Sequence, residues 1–201
     1  MTGQDMADSG PEAAAWQLAS DRCRAQVIAA GGMLKEATFY LGAERRPFQP
    51  FARATWAADD PALRARGFPG HLLNLGGEWP CVPFGTSSAD SQHHGFGSNA
   101  DWTCLDLGED HIALGIEFPE SHVVRSLQRH LRISKDSAAI DFVLTVHVRA
   151  PCRLPIGLHP IFRLPAGEGI RLTLGGKPGL AAIPQRFRPA GGRLAESDGT
   201  G

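Results

Sequence analysis

Apolar and polar residues alternate through much of the second half of the chain, the period of a strand with one buried face. Ile140, Phe142, Leu144, Val146 and Val148 interleave with Asp141, Thr145, His147 and Arg149, the clearest run of this kind. Thr103 to Leu107 and His111 to Phe118 read as two further strands, with Gly108-Glu109-Asp110 as the turn between them. Val123 to Ile133 is a longer strand with charges on both faces. Upstream, Gln26 to Ala29 and Met33 to Leu41 flank Gly31-Gly32, which predicts a hairpin. Pro47 and Pro50 restrict Pro47 to Trp56 to an edge strand or an extended loop. Arg153 to Gly157 and Ile170 to Leu174 are shorter strand segments. Nowhere does a helical period persist for three turns. Strands spaced by short turns predict an all-β chain folded as an antiparallel sandwich or a curled sheet.

The pattern divides the chain into three parts. Residues 1–22 are rich in Ala, Asp, Glu and Gly and read as a flexible tail, with one helical turn around Ala13 to Leu18. Residues 23–175 carry the strand text and form the sandwich domain, and residues 176–201 read as a loosely anchored C-terminal segment. Asp59 to Gly70 is loop, and His71 to Gly97 is too punctuated by Gly and Pro for any long element. A long structured loop inside a compact domain is uncommon and usually functional.

Composition narrows the function classes. A chain of 201 residues fits one domain and can bury roughly 70 % of its unfolded surface. A formal net charge of -1 gives no electrostatic reason to expect a nucleic acid or an anionic membrane as partner. Cys23, Cys81, Cys104 and Cys152 lie far apart without C-x-x-C spacing, which argues against a zinc site and for reduced thiols. The N-terminus lacks a secretory pattern and no run approaches 18 apolar residues, so a cytoplasmic location is expected.

Two segments carry the candidate chemistry. In Leu158-His159-Pro160, the proline holds His159 in extended backbone and neighbouring Ile161 and Phe162 offer apolar packing, which lowers a histidine pKa. Such an imidazole suits proton transfer to a hydroxyl or ring oxygen, or serves as a structural residue bonded to backbone. In His93-His94-Gly95-Phe96-Gly97, an adjacent pair on extended chain points to opposite sides, so at most one histidine enters a given cleft and the pair grips a metal poorly. Asn99 offers an amide hydrogen bond and Trp102 a stacking surface for a sugar face. In Gly76 to Gly85, Trp79 and Phe84 line a pocket or pack the loop down. That loop lacks the spacing and the lysine of a phosphate loop. Surface solvation is the expectation for Glu78, Asp101, Asp106, Glu117 and Glu120. No G-x-S-x-G elbow supports a serine nucleophile.

Taken in order, these segments resemble a known family. Gly32-Met33-Leu34, the run Pro47 to Trp56, the loop Gly76 to Gly85, His94-Gly95-Phe96 and His159-Pro160-Ile161-Phe162 are similar to aldose 1-epimerases, the galactose-mutarotase-like proteins, and most to the subgroup around glucose-6-phosphate 1-epimerase. The resemblance runs from about Gly31 to Pro165. It implies a large antiparallel β-sandwich, incomplete here at the C-terminus, with a sugar cleft on one concave face. It implies anomer interconversion of a free sugar, a small-molecule partner, and no metal or organic cofactor. His159 would be the acid that protonates the ring oxygen, and His94 the second histidine that holds and polarises the sugar. Trp79, Phe84, Asn99 and Trp102 would bind substrate. The sugar-phosphate enzymes place arginines where Leu75 and Ser98 stand here, so a neutral hexose is expected. The family's proton-accepting glutamate lies near its C-terminus, and Glu196, without strand pattern around it, is not accepted as that base. A non-catalytic carbohydrate-binding module, or a truncated inactive fragment of such an enzyme, is the alternative.

Overall fold

Half-buried alternation builds the first of two sheets. Four strands, β6 (Thr103–Leu107), β7 (His111–Glu117), β8 (Val124–Ile133) and β9 (Ile140–Val148), pair antiparallel in chain order. On β8 the apolar side chains and Arg129 turn inward at every second residue, except that Ser126 and Leu127 are both buried. A register shift between Val124 and Ser126 accounts for the slip, because one extra residue moves the side chains that follow to the other face. The computed structural model describes residues 14–56 and 60–164.

The second sheet draws on more distant parts of the chain. It runs β1 (Ala15–Ala19), β2 (Cys23–Ile28), β3 (Met33–Leu41), β5 (Glu78–Cys81), β10 (Gly157–Pro160), with β4 (Arg46–Phe48) also paired to β3. The hairpin expected at Gly31-Gly32 joins β2 and β3, both glycines at positive φ. Four expectations are corrected. Ala15–Ala19 is a strand in register with β2 and not a tail or a helical turn, because pairing with β2 buries Leu18. Glu78–Cys81 is a strand inside the segment read as loop, and the last described strand starts at Gly157 and not at Arg153. Short helices α1 (Pro61–Ala65) and α2 (Gly70–Leu73) stand where loop was expected, each too short to display a period. Asp60 caps α1 by accepting from the Ala62 N–H, with Pro61 at the first helical position. The strand expected at 170–174 and the segments 1–13 and 176–201 lie outside the described residues. Among the described residues, no helix is long and apolar enough to cross a membrane.

Packing separates the two faces of this second sheet. Leu18, Val27 and Leu34 join Ile112, Leu114, Leu127 and Leu131 of the first sheet in one shared core, the interior of a sandwich. Their chain neighbours Ile28 and Met33 join Trp79 and Cys81 in a separate cluster on the opposite face. Strand alternation is the cause, since successive side chains leave opposite sides. Glu78 therefore faces the other sheet, while Trp79 faces away from it. Burial pushes the thiols of Cys23 and Cys81 up to about 11 and about 12, so both pack as small apolar groups.

Inside the sandwich, the Arg129 guanidinium binds the Glu78 carboxylate and the Gly32 carbonyl oxygen, and it lies over the Phe142 ring. One buried cation thus ties β8 to β5 and to the β2–β3 turn. Removing one partner leaves an uncompensated charge in the core. Glu78→Ala is expected to cost about 3–5 kcal/mol in urea unfolding, whereas the double substitution Glu78→Leu with Arg129→Met costs far less. Equal losses in the single and double variants would refute the clamp.

Candidate functional site

The outer face of the second sheet carries a cluster of imidazoles, built up from Trp79. This indole is fully buried, 0 % exposed, and pairs across the β5–β10 ladder with His159. Residues directly opposite on neighbouring strands share a face. The two rings accordingly stack, with centroids 4.4 Å apart and planes 8° from parallel. Phe84 lies beside them, its ring 5.6 Å from that of His159, and stays 45 % exposed.

A tight loop brings in His94. The Asp90 carboxylate accepts from the Gln92 N–H at 2.8 Å and the Phe96 N–H at 2.7 Å, so it brackets His93, His94 and Gly95. His94 takes a left-handed backbone, φ 62°, followed by Gly95 at φ 80°. A Cβ at Gly95 would overlap the Val82 carbonyl oxygen, so glycine is required for the loop to lie against β5's exit. The left-handed turn also overturns the expectation that His93 and His94 point apart. Their ring centroids are 4.0 Å apart. His94 meets His159 edge-on at 4.9 Å, in direct contact and not across an open hollow.

Hydrogen bonds fix which nitrogens carry protons. His94 Nδ1 accepts from the Gly85 N–H at 3.1 Å, so in the neutral ring the proton sits on Nε2. The Asn99 amide nitrogen donates to the His93 and Gly95 carbonyl oxygens, which leaves its Oδ1 as acceptor. That oxygen lies 2.8 Å from Nδ1 of His71, so His71 donates there and keeps a lone pair on Nε2. His71 is 1 % exposed, and its Nε2 has no partner. Burial holds the pKa values of His71, His94 and His159 below the ordinary histidine value, with His94 lowered to about 4 as the charges of its neighbours add to desolvation. All three are neutral at pH 7.

Four of the six residues singled out in the sequence meet here: His94, His159, Trp79 and Phe84. Trp79 is the floor beneath His159 and has no exposed face for a sugar. Asn99 spends both amide hydrogens on the loop and its oxygen on His71, so it positions histidines in place of the expected sugar contact. Trp102 is elsewhere, 2 % exposed in the shared core, with its Nε1–H donated to the Gly97 carbonyl oxygen, so the ring packs the core where a stacking surface was expected. Glu78 is buried on Arg129 and not solvated as expected. His71 escaped the sequence reading, because a histidine following Pro69-Gly70 carries no local signal of a partner at Asn99.

Searches with the sequence find no matching family model and no matching curated protein. The fold has clear counterparts among solved structures. A candidate aldose 1-epimerase from Escherichia coli K12 superposes with a TM-score of 0.53 at 16 % identity, over 77 % of this chain and 53 % of its own. A galactose mutarotase-like protein from Lactobacillus casei ATCC 334 gives 0.52 at 14 % identity, over 76 % of this chain and 51 % of its own. A galactose mutarotase related enzyme from Lactobacillus acidophilus gives 0.51 at 13 % identity, over 79 % and 52 %. The chain shares their fold. It is a galactose-mutarotase-like sandwich that spans about half the length of those structures.

Within this sandwich the state of His94 is measurable. Its folded pKa of about 4 lies below the ordinary 6.5, so as pH falls the unfolded chain takes up the proton first. The stability tied to a neutral His94 is complete above pH 6.5 and is lost progressively between 6.5 and about 4. Imidazole NMR titration in chelator-treated buffer is expected to show one histidine titrating far below the rest and absent from His94→Gln. A His94 midpoint near 6.5 would mean that water reaches the ring.

Proposed function

We propose that the protein interconverts the anomers of a free, neutral hexose by acid–base ring opening, as an aldose 1-epimerase-like enzyme. The observation that supports this most is the contact of His94 with His159, two neutral imidazoles from distant segments, on the outer face of a mutarotase-like sheet. His94 presents Nε2–H, because Gly85 occupies its other nitrogen. A donor held in that state can bind a sugar hydroxyl or ring oxygen. His159, stacked on Trp79, cannot tilt freely; in its imidazolium form, the minor one at pH 7, it gives its proton to the ring oxygen as the bond from that oxygen to the anomeric carbon breaks, and the anomeric hydroxyl releases its own proton to water. The exposed Phe84 ring supplies an apolar patch beside them for the sugar's C–H face. Ring opening, rotation about the first carbon–carbon bond and reclosure exchange the anomers. Leu75 and Ser98 place no guanidinium at the positions where the sugar-phosphate subgroup carries arginines, which favours a neutral hexose.

A carbohydrate-binding module without catalysis is the second reading. It is favoured by Glu78, whose carboxylate is committed to Arg129 and so supplies no free base beside the imidazoles. Polarimetry of freshly dissolved α-D-glucose and α-D-galactose separates the two. The enzyme reading expects acceleration over buffer that drops by about 10²–10⁴-fold in His159→Asn. A buffer-like rate in the wild type, with sugar-induced NMR shifts retained, would leave the binding module.

A further inference from the structure

We infer that His71, His93 and His94 form a binding site for one divalent transition-metal cation of the kind imidazole prefers, such as Zn²⁺. Three observations converge on it. The ligand nitrogens of the three rings all lie within 4.8 Å of one another. His71 Nε2 is a buried lone pair without a donor, an anomaly in a protein interior where polar atoms are paired. The opposite nitrogen of that ring is locked by the Asn99 amide oxygen, the same outer contact that orients metal-bound histidines elsewhere.

The chemistry of the donor set is consistent. Zinc takes neutral imidazole nitrogens at about 2.0–2.1 Å, and neighbouring ligands on a tetrahedron then sit roughly 3.3 Å apart. The rings must therefore close in by roughly 1.5 Å at the widest pair, and His93, exposed on the loop, is free to make that movement. Water fills the remaining positions on the open side. His94 joins at a cost. Its only lone pair is spent on the Gly85 N–H, so ligation exchanges that hydrogen bond for a metal bond, at Nδ1 or at Nε2 once the proton moves. No cysteine belongs to the group of ligand atoms, and burial holds the Cys81 thiol protonated.

This site goes beyond the sugar chemistry proposed above and does not depend on it, because His71 and His93 have no step there. The shared ligand is His94, so a bound cation would occupy the donor offered to the sugar.

Calorimetric titration of the tag-free, chelator-stripped full chain with ZnCl₂ tests the inference. Saturation at one equivalent is expected, with affinity weakened tenfold or more in both His71→Gln and His93→Gln, and unchanged in His111→Gln on the remote β6–β7 turn. Should the buried His71 variant not fold, the exposed His93 variant decides alone. A Co²⁺-loaded sample is expected to show visible absorption that His93→Gln abolishes and Zn²⁺ displaces. Absence of zinc binding in the wild type, or equal affinity in His93→Gln, overturns the proposal, whatever the outcome of the sugar assays.

Discussion

The buried guanidinium of Arg129 anchors this architecture. Arg129 projects from the middle of β8 into the sandwich interior and meets Glu78, the first residue of β5. Taking both charges out of water costs several kcal/mol for each, and only close pairing with added hydrogen bonds offsets it. The Gly32 carbonyl oxygen supplies one such bond, and the face of Phe142 supplies a further favourable contact for the guanidinium. The offset is incomplete, for Arg129 Nε and Glu78 Oε1 remain without partners. An apolar pair of similar volume would hold the sheets together as well. The pair joins β8 to β5 with Glu78 turned inward, and strand alternation then turns Trp79 outward.

The site follows from that choice of face. With Glu78 turned inward, Trp79 must turn outward, and the ladder to β10 then sets His159 on top of it. The other histidines arrive on loops, where secondary structure provides no such control. Side-chain and backbone hydrogen bonds replace it: Asp90 brackets the His93–His94 turn, the Gly85 amide orients His94, and Asn99 orients His71 while holding the turn. Rigid packing on one side and a polar lattice on the other orient His71, His94 and His159, and the exposed His93 joins them in the same small volume.

Strand alternation made the β6–β9 meander and the β2–β3 hairpin legible in the sequence, because each residue there reports its own face. Elements held by distant partners were not legible. Ala15–Ala19 is too short to distinguish two periods from three and a half, and only its pairing with β2 settles the matter. Glu78–Cys81 contains a proline, which reads as loop. The strand tolerates it because β5 has parted from β3 beyond the Leu34–Glu78 pair. His94 and His159 stood out because glycine and proline flank them. The error at His93 and His94 came from assuming extended backbone, when His94 adopts a conformation that a side chain other than glycine rarely takes. His71 was invisible for a different reason: its significance lies wholly in a hydrogen bond to a residue on another loop.

The position of His159 on the last described strand has a temporal consequence. A chain made from its N-terminus can complete the β2–β3 hairpin, the Asp90-bracketed turn and the whole β6–β9 meander while Gly157–Pro160 is still to come. The imidazoles of the loops would then wait, with Trp79 uncovered, until Gly157–Pro160 docks beside β5 and lays the fourth ring over the indole. The imidazole cluster is thereby incomplete until that strand is made, so a shorter nascent chain exposes an aromatic surface and no finished cluster.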